Sequence, residues 1–130
     1  MASTTEGKLI NAAKKLAEYL HILLAVEYDV DAIDRLAKSR RLDEFKENVY
    51  NALRRKLTLE SKLSELEKRG HGEAREALSK VRDLGPEDID SLMMNINDSQ
   101  LRGWATFIGS RALASTSLFT VLRKLIEGGE

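Results

Sequence analysis

The C-terminal stretch from Asp98 to Glu127 constrains the fold of this chain more than any other part of the sequence. Its apolar residues recur every three or four positions, which places them on one face of an α-helix, and charged residues are sparse between its two ends. The apolar positions are Leu101, Trp104, Ala105, Ile108, Ala112, Leu113, Leu118, Phe119, Leu122, Leu125 and Ile126. A helix that is apolar around most of its circumference is buried by other helices or by a partner. The pattern therefore predicts one long, mostly buried C-terminal helix with the other helices packed around it.

The preceding sequence shows the same helical periodicity and no alternating β pattern. The predicted helices are one from about Thr4 to Glu27, a short one after Asp29 or Asp31, one from Asp43 through Leu66, one from Glu73 to Leu84, and a short one that starts at Pro86. A break at Thr58 is the alternative for the third of these, because the residues from Thr58 to Ser61 also resemble a helix start. At 130 residues the chain has a single-domain length and can bury one core. We therefore expect an all-α, single-domain bundle of five or six helices that covers residues 1–130.

Composition narrows the class of protein. The sequence has no cysteine, which excludes disulfides and thiolate chemistry and favours a cytoplasmic location. The segment from Met1 to Glu6 lacks the basic residues followed by an apolar run that mark a signal peptide. The longest apolar run without charge, Ala112 to Leu122, is shorter than the about 20 residues that a membrane-spanning helix requires. These observations predict a protein with no membrane partner.

No group of residues has the spacing of a catalytic or metal site. His21 lies in an apolar stripe and His71 in a turn, and neither has a second ligand or an orienting group at the required spacing, so a structural or solvent-facing role is favoured for both. The carboxylates between Glu27 and Asp34 lack the glycine of a calcium-binding loop and are explained by helix capping. Gly103 and Gly109 lie outside any phosphate-binding motif. We therefore predict no catalytic residues, no metal, no cofactor and no enzymatic activity.

The net charge is zero, but the charges are unevenly distributed. From Arg35 to Lys56 there are eight basic and three acidic residues, whereas from Asp83 to Asp98 there are five acidic residues and no basic one. A neutral protein with separated poles can bind a polyanion on one side and a basic protein, or a copy of itself, on the other. The acidic candidates for partner binding are Asp83, Glu87, Asp88 and Asp90.

The basic stretch is the best candidate for a binding surface. Arg40 and Arg41 lie in a short connection, where both side chains can extend freely. Lys46, Tyr50 and Arg54 recur every four residues, which places an aromatic ring between two cations on one helical face. Such a face can hold a phosphate backbone and a stacked base. The alternative is that Tyr50 borders the core while the cations pair with neighbouring carboxylates, as on ordinary solvated helices.

Two aromatic residues of the last predicted helix, Trp104 and Phe107, have two interpretations. Aromatic side chains are enriched at protein interfaces, but they also fill helical cores. We predict that Trp104 belongs to the core, and we retain Phe107 as a candidate for partner binding.

Several segments of the sequence resemble a known family. The segment from Tyr28 to Ala37 contains a tyrosine followed by an Asp-Arg-Leu-Ala turn of helix, and the segment from Val49 to Arg54 contains an Ala-Leu-Arg helix. These elements resemble the N-terminal half of the small subunit of archaeal type I-A CRISPR interference (Cascade) complexes. Leu101–Arg102 and Ile108–Ala114 are similar in character to the closing helix of that family, which is rich in alanine, leucine and arginine.

The resemblance implies a non-catalytic, cytoplasmic subunit of an RNA-guided antiviral defence complex. Several copies would stack beside the guide-bearing backbone, contact other subunits of the nucleoprotein complex, and help hold single-stranded DNA or the RNA–DNA hybrid of the R-loop. The strand-contacting residues would be Arg40, Arg41, Arg54, Arg55 and Lys56, with Lys46 in support. Because the net charge is zero, binding would be weak in isolation and useful only within the assembly.

Two other functions fit the same sequence. A helical coat protein of an archaeal filamentous virus would also be small and self-stacking, with DNA packaged between its helices. A helical protein–protein interaction module would bind its partner through the last helix. Polymerisation without other subunits favours the coat protein, dependence on partner subunits favours the CRISPR subunit, and complexes independent of nucleic acid favour the interaction module.

Overall fold

The computed structural model describes residues 3–114 and 117–128 of the chain. Within these two ranges the backbone forms eight α-helices and no strand. They are α1 (Ser3–Glu27), α2 (Val30–Ala37), α3 (Leu42–Leu53), α4 (Lys56–Lys68), α5 (Gly72–Asp83), α6 (Pro86–Asn95), α7 (Asp98–Leu113) and α8 (Ser117–Gly128). The predicted all-α, single-domain fold is confirmed. The helices outnumber the five or six predicted because two of the predicted helices are each divided.

Local sequence signals explain several helix boundaries. Asp29 caps α2, since its carboxylate accepts a hydrogen bond from the Ala32 amide at 3.1 Å. Asn97 caps α7 in the same way, by accepting from the Gln100 amide at 3.0 Å. The chain leaves α4 through Gly70, whose φ of +94° lies in the left-handed region that favours glycine. These boundaries agree with the turn and cap signals in the sequence.

The helix at the centre of the bundle is α1, which contacts α5, α6, α7 and α8. From Leu16 to Val26 every residue except Glu18 is buried, so this half of α1 is covered around almost its whole circumference. The apolar pattern of the sequence predicts this central position for the C-terminal stretch instead. α1 occupies it because the run from Tyr19 to Val26 is apolar apart from His21, and a helix that is apolar all round is stable only when other helices surround it.

The C-terminal stretch forms two helices where the sequence predicts one. α7 and the part of α8 from Leu118 onward are bent by 58° relative to each other, and Ser115 and Thr116 between them lie outside the described residues. A straight helix from Asp98 to Glu127 would be about 45 Å long, which exceeds the length of the 25-residue α1, and the bend keeps both halves in contact with α1. No single helix in the described ranges is long and apolar enough to cross a bilayer, although α7 and α8 reach that length and composition together as a bent pair.

The predicted third helix is divided at Arg54 and Arg55 rather than at Thr58. At this division the Arg55 amide donates to the Ala52 carbonyl at 3.3 Å, a tight turn that ends the α-helical pattern. α3 packs against α2, whereas α4 packs against α5. The division therefore lets one continuous apolar pattern cover two different neighbours.

Tyr19 of α1 is fully buried next to this division. Its hydroxyl donates to the Ala52 carbonyl at 2.6 Å, which joins α1 to the last turn of α3. Burial raises the pKa of the Tyr19 phenol well above its ordinary value of about 10. The phenol therefore stays neutral and keeps its hydrogen bond at physiological pH.

The raised pKa of Tyr19 predicts a loss of stability at alkaline pH. Above the ordinary tyrosine pKa of about 10 the folded state keeps a proton that the unfolded state releases, so this contribution to the free energy of unfolding is intact below about pH 10 and decreases above it. We expect Tyr19→Phe to cost about 0.5–1.5 kcal/mol at neutral pH, through the lost hydrogen bond, and to remove this part of the alkaline loss. Urea unfolding of both proteins from about pH 8 to about pH 11 measures the difference. Parallel pH profiles for the two proteins would contradict the prediction.

The C-terminus of α1 is capped by the side chain of Arg123 from α8. Tyr28 follows α1 with a φ of +56°, in the left-handed region that non-glycine residues rarely adopt. The Arg123 guanidinium donates to the Ala25 carbonyl at 3.0 Å and lies 4.8 Å from the centre of the Tyr28 ring, within cation–π distance. Because α1 has no basic residue in its own last turn, Arg123 supplies the positive charge that this end of the helix dipole favours.

Candidate nucleic-acid interface

The solvent-facing side of α3 carries the predicted row of cations and an aromatic ring. Phe45 and Val49 are fully buried on the opposite side of the helix, which turns Lys46, Tyr50 and Arg54 outward. Tyr50 is 43% exposed, so its ring lies on the surface and not in the core. The structure therefore brings these three side chains to one accessible face, as the four-residue spacing predicts.

The four predicted arginines lie at the two ends of α3. Arg40 and Arg41 precede the helix and Arg54 and Arg55 follow it, and all four are exposed. A helix of 12 residues is about 18 Å long. The arginines therefore form two separate pairs, and Lys46 and Tyr50 lie along the helix between them.

Intramolecular ion pairs hold only some of these cations. Arg41 lies 3.7 Å from the Asp43 carboxylate, and Arg55 lies 3.7 Å from the Asp29 carboxylate. Such partly exposed pairs contribute about 0–1 kcal/mol, so a phosphate can replace the carboxylate at small cost. The side chains of the remaining three cations, Arg40, Lys46 and Arg54, form no ion pair with any residue that the structure describes.

Lys56 has a structural contact that the sequence did not indicate. Its half-buried ammonium donates to the Leu84 carbonyl at 2.6 Å. Leu84 follows the last residue of α5, where free carbonyls and the helix dipole favour a cation. Lys56 therefore links the start of α4 to the end of α5, and its predicted contact with a strand would compete with this link.

A polar cleft between α2 and α3 is a part of the basic surface that the sequence analysis missed. It has a volume of about 100 Å³, and Arg35, Arg55, Asn48 and Asn51 contribute to its walls. Asn48 is held in place, since its amide donates to the Arg35 carbonyl at 3.2 Å and to the Ser39 hydroxyl at 3.0 Å. The sequence indicates only that Arg35 begins the basic stretch. It does not reveal the cleft, because α2 and α3 meet through a tertiary contact. The cleft adds the Arg35 guanidinium and the exposed Asn51 amide to the surface, whereas both hydrogens of the Asn48 amide are already bonded and the Asp29 carboxylate, which pairs with Arg55, also lines the cleft.

Half of the predicted acidic surface is used within the molecule. The Lys15 ammonium lies 3.7 Å from the Asp83 carboxylate and 3.5 Å from that of Asp88. Asp88 also accepts a hydrogen bond from the Gly85 amide at 2.8 Å and so caps α6. Glu87 and Asp90 are exposed, and neither pairs with a cation in the described part of the chain. These two carboxylates are therefore the ones available to a partner.

Trp104 and Phe107 lie next to each other at the surface. Their rings meet edge to face, with centres 5.9 Å apart, a favourable aromatic geometry. Trp104 is half-buried and packs against the core, so its predicted place in the core is confirmed only in part. It lies at the edge of the core because Leu101, Ala105 and Ile108 form the buried side of α7. Phe107, the predicted partner-binding residue, is 36% exposed.

Neither histidine belongs to a metal cluster in the described ranges, where no group of three or more histidine or carboxylate side chains could hold an ion. His21 is buried in α1, and its Nδ1 lies 2.8 Å from the Ala112 carbonyl at the end of α7. Its ring centre is 5.5 Å from that of Phe119 in α8. His21 thus connects α1 to both C-terminal helices, which is a structural role.

The described residues therefore present an accessible face, formed by α2, α3 and the turns that flank α3, on which exposed cations lie beside the exposed carboxylates of Asp43 and Glu47. Its exposed guanidinium, ammonium and amide groups are donors suited to phosphate oxygens, and Tyr50 offers a ring on which a base can stack. No protein-family model, curated protein or solved structure matches this chain.

Proposed function

We propose that this protein is a non-catalytic subunit of an RNA-guided DNA-interference complex, in which copies stack and hold single-stranded nucleic acid along the face formed by α2 and α3. The observation that carries the proposal is the exposed row of Lys46, Tyr50 and Arg54 on α3. The resemblance of residues 28–37 and 49–54 to the small subunit of type I-A CRISPR complexes supports the assembly to which we assign it.

The spacing of the row supports binding of an extended strand. Lys46 lies on α3 and Arg54 is the residue that caps its C-terminus with helical dihedral angles. The two cations are eight residues apart with Tyr50 midway between them, so their Cα atoms are about 12 Å apart. Two cations at this separation can contact two different phosphates of one strand, while the tyrosine ring stacks on a base between them. Stacking of this kind contributes about 1–3 kcal/mol per base and tolerates any sequence.

The zero net charge limits strand binding by a single copy. A protein that contacts few phosphates and has no overall positive charge binds weakly. Several copies aligned on one strand multiply their contacts, because each additional copy binds at a high effective concentration. The subunit would therefore need its neighbours to hold a strand.

The binding face is tested with the double variant Lys46→Gln, Arg54→Gln. We expect weaker binding to fluorescent oligothymidylate in an anisotropy titration, because two phosphate contacts are lost. The slope of log K against log salt concentration should fall in magnitude by about 1.4, at about 0.7 for each contact with a single strand.

Tyr50→Leu should weaken binding by about 1–3 kcal/mol, the stacking contribution of a base, and leave the salt slope unchanged.

A charge-matched control separates the face from the overall charge. Lys8 and Lys124 are exposed on other helices, so Lys8→Gln, Lys124→Gln removes the same net charge elsewhere. Equal loss of binding in both double variants would contradict the proposed face.

A pulldown from the native host, with and without nuclease, tests the assembly. We expect guide RNA and other subunits, whereas filaments of this chain alone would indicate a coat protein.

A further inference from the structure

An open apolar groove lies between α1 and α7, away from the basic face of α3. Ile10 and Lys14 of α1 line one side, and Gly103, Trp104 and Phe107 of α7 line the other. The groove has a volume of about 460 Å³, and its lining is almost entirely apolar. Exposed apolar concavities of this kind mark sites where another molecule binds.

One exposed cation borders this groove. Lys14 lies on its α1 side, and its side chain is exposed and forms no ion pair with a residue in the described ranges. Arg111, one helical turn beyond Phe107, lines a neighbouring pocket instead. An occupant that combines an apolar side chain with a flanking carboxylate would therefore match the groove in shape and charge.

The solvent-facing stripe of α6 has this chemistry. Glu87, Asp90 and Met94 follow each other at intervals of three and four residues, which places them on one face. Ile89 and Leu92 are buried on the opposite face. Met94 is 82% exposed, an unusual position for a flexible apolar side chain that is well suited to filling irregular pockets.

One molecule cannot place its own α6 stripe in its own groove. Lys14 borders the groove, whereas the next residue, Lys15, lies 3.5 Å from the Asp88 carboxylate of α6. Consecutive helical residues point about 100° apart around the helix axis, so the groove and α6 occupy different flanks of α1. The two complementary surfaces can therefore meet only between different molecules.

We propose that the α6 stripe of one copy docks into the α1–α7 groove of the next copy, with Met94 against Phe107 and Trp104 and a carboxylate of the stripe near Lys14. This inference deepens the proposed function, because it identifies the surfaces through which copies stack, and it rests on that function for the stacking itself. A contact between two different surfaces leaves a free groove at one end and a free stripe at the other, so it builds an open row of copies. A single groove and helix face is small beside the about 1,200–2,000 Å² of a stable interface, so the row forms only at high concentration or on a bound strand.

The inference is tested in the absence of nucleic acid, by sedimentation velocity over a concentration series. The wild-type protein should form dimers and longer rows, and added salt should weaken them. Phe107→Asp damages the groove and keeps the stripe, whereas Met94→Lys damages the stripe and keeps the groove. Each variant alone should be monomeric, and their equimolar mixture should form dimers and nothing larger, because only one intact groove and one intact stripe can meet.

Three results with the wild type and these two variants would overturn the proposal: wild-type protein that stays monomeric at every concentration, a Met94→Lys variant that associates as the wild type does, or a mixture of the two variants that stays monomeric. Leu57→Lys serves as the matched control, because Leu57 is 79% exposed on α4 and belongs to neither the groove nor the stripe, so this substitution should leave association unchanged. Loss of association in this control would instead indicate unspecific apolar contact and would also overturn it. Circular dichroism verifies the helical fold of each variant.

The same variants separate this inference from the proposed function. Met94→Lys and Phe107→Asp lie outside the α2–α3 face, so each monomeric variant should keep the single-copy affinity of the wild type for a short oligothymidylate that accommodates one copy. Association without strand binding would support the docking surfaces and contradict the nucleic-acid function. Strand binding without association would support the nucleic-acid function and contradict the docking surfaces.

Discussion

Replacing Leu20 with alanine should lower the free energy of unfolding by about 2–5 kcal/mol, the cost of a cavity in a packed core. Leu20 lies in the middle of α1 and is fully buried. Because α1 contacts four other helices, the groups around Leu20 belong to several elements and cannot all move inward to fill the space. Urea unfolding monitored by circular dichroism measures the effect.

The matched control for Leu20 is another leucine in the stretch that the sequence placed at the centre. Leu113 is the last residue of α7 and is 52% exposed, so Leu113→Ala should cost less than about 1 kcal/mol. Similar losses for the two substitutions, or a larger one at Leu113, would contradict the assignment of α1 as the central helix. Comparison of the same chemical change at both positions isolates burial from side-chain type.

Gly109→Ala should destabilise the protein because two helix backbones meet at this glycine. A Cβ atom at Gly109 would lie 2.7 Å from the Ala37 Cβ atom and 3.7 Å from its Cα atom, so α2 and α7 would have to separate. Overpacking of this kind costs about 1–3 kcal/mol, which exceeds the gain of up to about 1 kcal/mol that alanine brings to a helix. The measurement is the midpoint of thermal or urea unfolding.

Two further variants identify the contact as the cause. Gly103 lies in the same helix with no atom within 4 Å of its added Cβ, so Gly103→Ala should stabilise the protein by up to about 1 kcal/mol. Ala37→Gly removes the atom that Gly109→Ala would strike, so the double variant should be more stable than the two single effects predict. Additive effects would show that the crossing of α2 and α7 is not the source of the loss.

The fold class was predictable because helical periodicity and cap residues act over short distances along the chain. Asp29 and Asn97 cap the helices that follow them, and each cap depends on residues within three positions. The divisions at Arg54–Arg55 and after Leu113 were not predictable in this way. The apolar periodicity continues across both divisions. The third predicted helix is divided because α3 packs against α2 and α4 packs against α5, and the last one is divided because α7 and α8 both pack along α1.

The candidate interface likewise contains a part that the sequence predicts and a part that it does not predict. The row of Lys46, Tyr50 and Arg54 was predictable, because it lies along α3 and its C-cap residue and depends on local spacing alone. The cleft between Arg35 and Arg55, and the contact of Lys56 with Leu84, require helices that are distant in sequence to meet. The same limit applies to the acidic stretch, where Lys15 of α1 pairs with two of the four predicted carboxylates.

The sequence by itself determined that this chain is helical, where most of its helices begin and end, and which face of α3 carries exposed cations. These properties follow from local hydrogen bonding and from the three-to-four-residue spacing of apolar side chains. Only the tertiary structure decided that α1 is the central helix, that Trp104 lies at the edge of the core, and that the groove and the α6 stripe occupy different flanks of α1. The physical reason is that burial and charge pairing depend on which distant helices share a core, and the same apolar stripe can satisfy several such arrangements.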